Sequence, residues 1–417
     1  MRYFNAMLVV TMALYGTAAT AVAQQQLDTI VEPGGSVPEL RRPPATPRAF
    51  TRRPLIRREP ALPSATAVNT PPEAPLAING SATLGMMTGG LNGTFVQIGS
   101  DVAAVASSDK LRVVPFMGKG SLQNLADLLN LRGVDLALVA ADSARAAEAT
   151  TAYSGLRSRV SYIAKLYDQE IHVLAGADVQ SAIDLAGKIV NVDIVGSGTA
   201  VTAPAVFEAM HLPVKLAYEM PAVALEKLKR GEIAALVYVN GKPSRLFSSI
   251  PANSGLHLIS LPMSEALLEA YVPATFTHAE YPALTNEGET VETLAVPVLL
   301  TAYNWPQGTA RYQNLAAFTD LFFSRIPDLL QPPYHEKWRD VNIRATVPGW
   351  TRAPYAQRWL DRAAPTAAAA QPVQMATGFE KEEFNEWAAG IGLTKITAVQ
   401  SAQLFSLWKL RKSQPQR

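Results

Sequence analysis

From Ala82 onward, short runs of branched apolar residues alternate with segments of helical spacing, and this alternation constrains the fold more than any other feature of the chain. The runs at 111–116, 134–140, 171–174, 189–193, 233–239 and 256–261 are nearly continuous in hydrophobicity, as strands buried on both faces should be. Between them Phe95, Ile98, Val102 and Val105 share one helical face, as do Leu122, Leu125 and Leu129, and Val206 with Met210. Such alternation predicts crossover connections and mostly parallel sheets. The stretch 82–364 is more than one sheet uses, so two α/β lobes are expected, with ligands at the carboxyl ends of the strands. A strand at 294–302 is followed by a long helix that breaks near Pro327. The Trp/Tyr-rich stretch 338–359 reads as packing against the lobes.

The flanks have a different texture. Residues 1–23 carry Arg2, an apolar stretch and the small series Ala21-Val22-Ala23, the layout of a secretory signal cleaved after Ala23; an uncleaved anchor is the alternative reading. Residues 24–81 form a Pro/Arg-rich spacer, whose arginines include Arg41, Arg42, Arg52 and Arg53. An Ala/Pro/Gln linker at 365–376 precedes a C-terminal helical hairpin at 377–417, whose Phe384, Trp387, Phe405 and Trp408 give it an apolar face. The hairpin is expected to dock on the main body; contact of the spacer or hairpin with a membrane surface is the other reading. With 417 residues, a net charge of +2 and no cysteine, the chain has no basic field fit for nucleic acid, no disulfide and no thiolate site.

Three Gly/Ser/Thr turns each join a strand to a helix: Thr88-Gly89-Gly90-Leu91-Asn92-Gly93-Thr94, Gly118-Lys119-Gly120-Ser121 and Gly196-Ser197-Gly198-Thr199. Glycine lets the backbone approach a ligand closely, and the free N–H groups of a helix start suit an anion. If the three face one cleft, they can hold a small carboxylate with neutral donors. Competing motifs fail on spacing: Gly120 separates Lys119 from Ser121, which excludes a phosphate loop, and neither a G-x-S-x-G elbow nor an H-E-x-x-H pair occurs. His172, His211, His257, His278 and His335 are scattered singly, without metal-ligand spacing. No acid–base pair stands out, so neither a catalytic residue nor a metal or other cofactor is expected. Asp142, at a strand end, either touches a ligand or caps the next helix.

These motifs together resemble the TAXI-type periplasmic solute-binding proteins of TRAP transporters over about 82–362. The first turn with Phe95 is similar to that family's T-G-G-x-x-G-x-Y/F, and Gly120-Ser121-Leu122-Gln123-Asn124-Leu125 to its G-S-x-x-N-L. Asp135-Leu136-Ala137-Leu138-Val139 with Asp142 resembles D-L-A-F-V-Q-S-D, and Leu185-Ala186-Gly187-Lys188 with the third turn resembles L-K-G-K…G-S-G-T. Tyr271-Val272-Pro273-Ala274 and Val296-Pro297 match two further landmarks.

The resemblance implies an α/β type II periplasmic-binding-protein fold, two lobes with a ligand cleft between them. Lobe I would comprise 82–174 and 272–364, and lobe II 175–271. It implies a non-enzymatic, periplasmic receptor that captures a small organic anion, amino-acid or dicarboxylate-like, for a TRAP membrane permease. A sensory or interaction protein that uses its terminal extensions is the alternative. Carried over by motif, the ligand contacts are Thr88, Asn92, Ser121, Asn124, Gly196, Ser197, Gly198 and Thr199, joined by Gly89, Thr94, Lys119 and Asp142 in or beside the same motifs. Ala140-Ala141 replaces a polar pair of the family, and Lys119 replaces a small residue.

Overall fold

The computed structural model describes residues 77–78, 81–148, 153, 155–363, 378–390, 401, 404–405 and 408. The expected signal peptide, nearly all of the spacer, and the linker lie outside the described residues, as does part of the hairpin. All described residues belong to one compact unit, Ser64–Arg417.

Eleven strands form one continuous curled sheet: β1 (Ala77–Ile78), β2 (Ser81–Met87), β3 (Leu111–Phe116), β4 (Val134–Ala140), β5 (Val160–Ala175), β6 (Ile189–Asn191), β7 (Lys215–Ala217), β8 (Ala235–Asn240), β9 (His257–Leu258), β10 (Val272–Thr277) and β11 (Thr290–Tyr303). The longer helices are α1 (Thr94–Ala106), α2 (Ser121–Asn130), α3 (Thr199–Ala209), α4 (Pro221–Lys229), α5 (Ala310–Ser324), α6 (Pro354–Arg362) and α7 (Gly378–Gly390).

The two ends of the sheet repeat one plan. In the first, β2 lies between β3 and β4, parallel to both, and β11 closes the group antiparallel to β4. In the second, β6 lies between β7 and β8, again parallel to both, and β5 closes it antiparallel to β8. This is a mixed α/β, two-lobed type II architecture. The antiparallel closing strands correct the expectation of mostly parallel sheets.

The two lobes are joined by β5 and β11, which pair with each other antiparallel over Val160–Glu170 and Ala295–Tyr303 and then diverge. Strand β5 is far longer than the apolar run at 171–174, because Lys165, Asp168 and Glu170 interrupt the hydrophobic pattern. The fold offsets their charges by pairing. Lys165 Nζ meets Asp168 at 2.7 Å, and Lys337 Nζ meets the buried Glu170 at 2.6 Å.

Side-chain alternation builds a core on each face. Leu136 and Leu138 of β4 enter a cluster with Phe95 and Ile98 of α1 and Phe318 and Phe322 of α5, whereas Ala137 and Val139 meet Leu125 and Leu128 of α2. In β8, Val237 and Val239 face Val206 and Phe207 of α3, and Leu236 and Tyr238 face Leu225 and Phe247. The chain returns to the first lobe later than position 272. Phe276, Tyr281, Leu284 and Val291 share a cluster with Leu174 and Leu236, so the β10–β11 hairpin packs on the second lobe, and β11 reaches the first lobe only where Val298 pairs with Ala140. Phe384 and Ala388 of α7, with Leu404, Phe405 and Trp408, are buried in the cluster that contains Val206 and Leu267.

Candidate ligand cleft

The three turns sit at the carboxyl ends of β2, β3 and β6, where the sheet directs its helices' first residues toward the space between the lobes. The first is clamped to the second. Thr88 donates from its N–H and its hydroxyl to Phe116 O at 2.9 and 2.8 Å, and Asn124 Nδ2 donates to Thr88 O and Leu138 O at 2.7 and 2.8 Å. Thr88 and Asn124 are fully buried, so these two side chains hold the turns in register.

Each lobe then repeats a smaller device. Ser121, first residue of α2, accepts the Ala140 N–H at 2.8 Å, and Thr199, first residue of α3, accepts the Val239 N–H at 3.0 Å. A hydroxyl used as acceptor keeps its own proton to donate. The Ser121, Gly198 and Thr199 amides have no protein acceptor among the described residues.

The lobes meet across the cleft through backbone and short polar groups. Gln123 N–H donates to Gly196 O at 3.0 Å, and Thr94 N–H, at the start of α1, donates to Asn240 Oδ1 at 2.8 Å. Asp142 joins the same seam, accepting from Thr202 Oγ1 at 2.7 Å and from Tyr271 OH at 3.4 Å, and burial raises its pKa. Its side chain thus neither contacts the cavity nor caps the following helix. Gly198 permits the close approach: a Cβ there would lie 2.9 Å from Ser121 Oγ.

Behind this seam lies a cavity of about 240 Å³. The turns contribute Gly89, Asn92, Thr94, Lys119, Ser121, Ser197, Gly198 and Thr199 to its wall, eight of the twelve residues expected from the sequence. Thr88, Asn124, Asp142 and Gly196 stand outside it and act as clamps between elements. Four helix N-termini, at Thr94, Ser121, Thr199 and Pro221, converge on the wall.

The wall also holds Gln169, Asp193, Tyr238 and Asn240, which the motifs did not single out. Gln169 lies where β5 and β11 cross, paired with Val296. Asp193 follows β6 in a left-handed conformation (φ 64°), accepts the Ile194 N–H at 2.8 Å and is 8% exposed. Burial pushes its pKa up to about 6, against the Ile194 N–H and the Ser197 hydroxyl, which favour the carboxylate. A charged residue ending an apolar run was the available signal, masked because the run 189–193 reads as one strand. Ala140 and Ala141 do not line the cavity; the Ala140 N–H is consumed by Ser121.

His172 is buried and satisfied, with Nδ1 3.1 Å from Tyr238 O, Nε2 2.6 Å from Tyr281 OH and its ring stacked on Phe276 at 4.3 Å. Among the described residues, no cluster of three or more His, Asp or Glu is placed to hold a metal ion.

Residues 86–334 match the NMT1-like family, a span covering more than half of the 417 residues. The chain belongs to the NMT1-like family. The match runs from the end of β2 to beyond α5 and so takes in all three turns, both crossing strands and the whole cavity wall. Among solved structures, the chain is similar to a protein described as a periplasmic transporter, at 12% identity over 69% of this chain and 95% of that one, TM-score 0.43. It is also similar to an ancestral arginine-binding protein bound to arginine, at 17% identity over 63% of this chain and 99% of that one, TM-score 0.39.

Proposed function

We propose that this NMT1-like protein is an exported receptor that captures a small organic solute between its two lobes and presents it to a TRAP-type membrane permease. The observation that carries this reading is the cavity between the lobes. Four helix N-termini and the unengaged Ser121, Gly198 and Thr199 amides meet there, behind a seam of hydrogen bonds that only closure of the lobes can make. A carboxylate on the solute would take these donors. We take Gly89, Asn92, Thr94, Lys119, Ser121, Ser197, Gly198 and Thr199 as its surroundings, with Thr88, Asn124, Asp142 and Gly196 as the clamps that bring them together.

The permease reading rests on the family resemblance and on the rim. Leu91, Met117, Val195 and Met220 are 72, 66, 68 and 59% exposed, and each is in the cavity wall or adjoins a residue of it. Apolar side chains gathered at one mouth suit a protein partner. No helix among the described residues is long and apolar enough to cross a membrane.

The test is a thermal-shift screen with organic acids and amino acids. A ligand at about 100 times its Kd should add roughly 2.7 kcal/mol to stability. Stabilisation by another ligand class, with every carboxylate inert, would overturn the reading.

A further inference from the structure

We propose that the solute carries a protonated amine as well as a carboxylate, and that Asp193 receives the ammonium group. This deepens the solute-binding reading and rests on it.

Of the residues that line the cavity, those charged at neutral pH are Lys119 and Asp193. They are placed very differently. Lys119 is exposed on the second turn, at the side of the cavity where the Ser121 amide and the α2 N-terminus already favour negative charge. Asp193 is buried in the opposite lobe, and among the described residues no lysine, arginine or histidine forms an ion pair with it. Its neighbours are a backbone N–H, the Ser197 hydroxyl and, across the wall, Tyr238 and Gln169, all neutral.

A buried carboxylate without a cation is costly, and an asparagine could accept the Ile194 N–H equally well without that cost. The loop therefore does not need the charge. What the charge can serve is the cavity, where helix starts from both lobes, at Thr94, Ser121, Thr199 and Pro221, gather partial positive charge and Asp193 is the buried negative side chain of the wall. The result is a dipolar site, with anion-favouring helix starts around it and one fixed negative charge, that of Asp193, in the second lobe. A zwitterion such as an amino acid satisfies both ends at once. A dicarboxylate would set a second negative charge against Asp193, a like-charge clash that an interface uses to reject wrong partners.

Ligands matched except for the amine test this: glutamate against glutarate, and 4-aminobutyrate against butyrate, measured by isothermal titration on the intact protein and on D193N. The expected result is that an amine-bearing ligand binds the wild type and loses roughly 30-fold or more in affinity in D193N, while the ligand-free variant melts at the same or a higher temperature. The deaminated acids should bind the wild type weakly and D193N no worse. Equal wild-type affinity for a ligand and its deaminated counterpart would overturn the assignment while leaving the solute-binding reading standing. Silence from every small organic ligand would remove both. The wild-type comparison needs no variant, so a folding defect in D193N cannot rescue the proposal.

Discussion

The second and third turns are built alike and charged oppositely. Both run strand, Gly-x-Gly, hydroxyl residue, helix, and in both the hydroxyl accepts the N–H of a strand end in its own lobe, Ala140 for Ser121 and Val239 for Thr199. Two residues before the hydroxyl, the first lobe has the exposed Lys119 and the second has the buried Ser197. Six residues before it, the first lobe has Pro115 and the second has Asp193. Duplicated backbone geometry supplies a place for a ligand, and the side chains that break the duplication give that place a direction.

Five substitutions break or sharpen the comparison, and the largest effect belongs to Asp193. Its native pKa, about 6 against 3.8, means that the folded state holds this proton more tightly than the unfolded chain. Stability of the ligand-free protein therefore falls as pH rises from about 4 to about 6, by about 3 kcal/mol in all, and stays reduced above that window. Urea denaturation of wild type and D193N should show the variant about 3 kcal/mol more stable at pH 7 and the gap closing toward pH 4.

The paired hydroxyls come next. S121A and T199A each strand one buried backbone N–H, at a cost of about 1–3 kcal/mol. Near-equal losses in melting experiments would support the shared device, whereas a cost confined to one lobe would break the symmetry.

G198A should leave the isolated lobes intact, since the backbone there is right-handed (φ −64°), yet its methyl group meets Ser121 across the seam. Solute affinity should fall about tenfold, equivalent to about 1.4 kcal/mol, with little change in melting temperature. Lys119 should matter least: K119A removes an exposed charge, so affinity should drop by under about 1 kcal/mol and the loss should shrink with added salt.

Legibility in the sequence followed burial. The strands β4 and β8 are buried along their whole length and stand out as runs, β3 stands out as a run although Arg112 and Phe116 are exposed, and the turns stand out because glycine and hydroxyl residues cluster at helix starts. The crossing strands were hidden. In β5 the charged positions are satisfied by pairing, Glu170 buried against Lys337 and the half-buried Lys165 and Asp168 against each other, which periodicity alone does not anticipate. Thr88 and Asn124 were legible as polar residues of the turns but not as clamps, since their partners are backbone carbonyls 28, 36 and 14 positions away. Asp193 was hidden at the end of an apolar run, and its left-handed backbone has no sequence mark other than the tolerance of aspartate for that conformation.

The claim that the lobes close on a solute is tested most directly by native mass spectrometry of freshly isolated protein. The account predicts a stoichiometric small-molecule adduct on the wild type, bearing both an amine and a carboxylate, that is absent from D193N and depleted in G198A. Freshly isolated wild-type protein that carries no small-molecule adduct would contradict it.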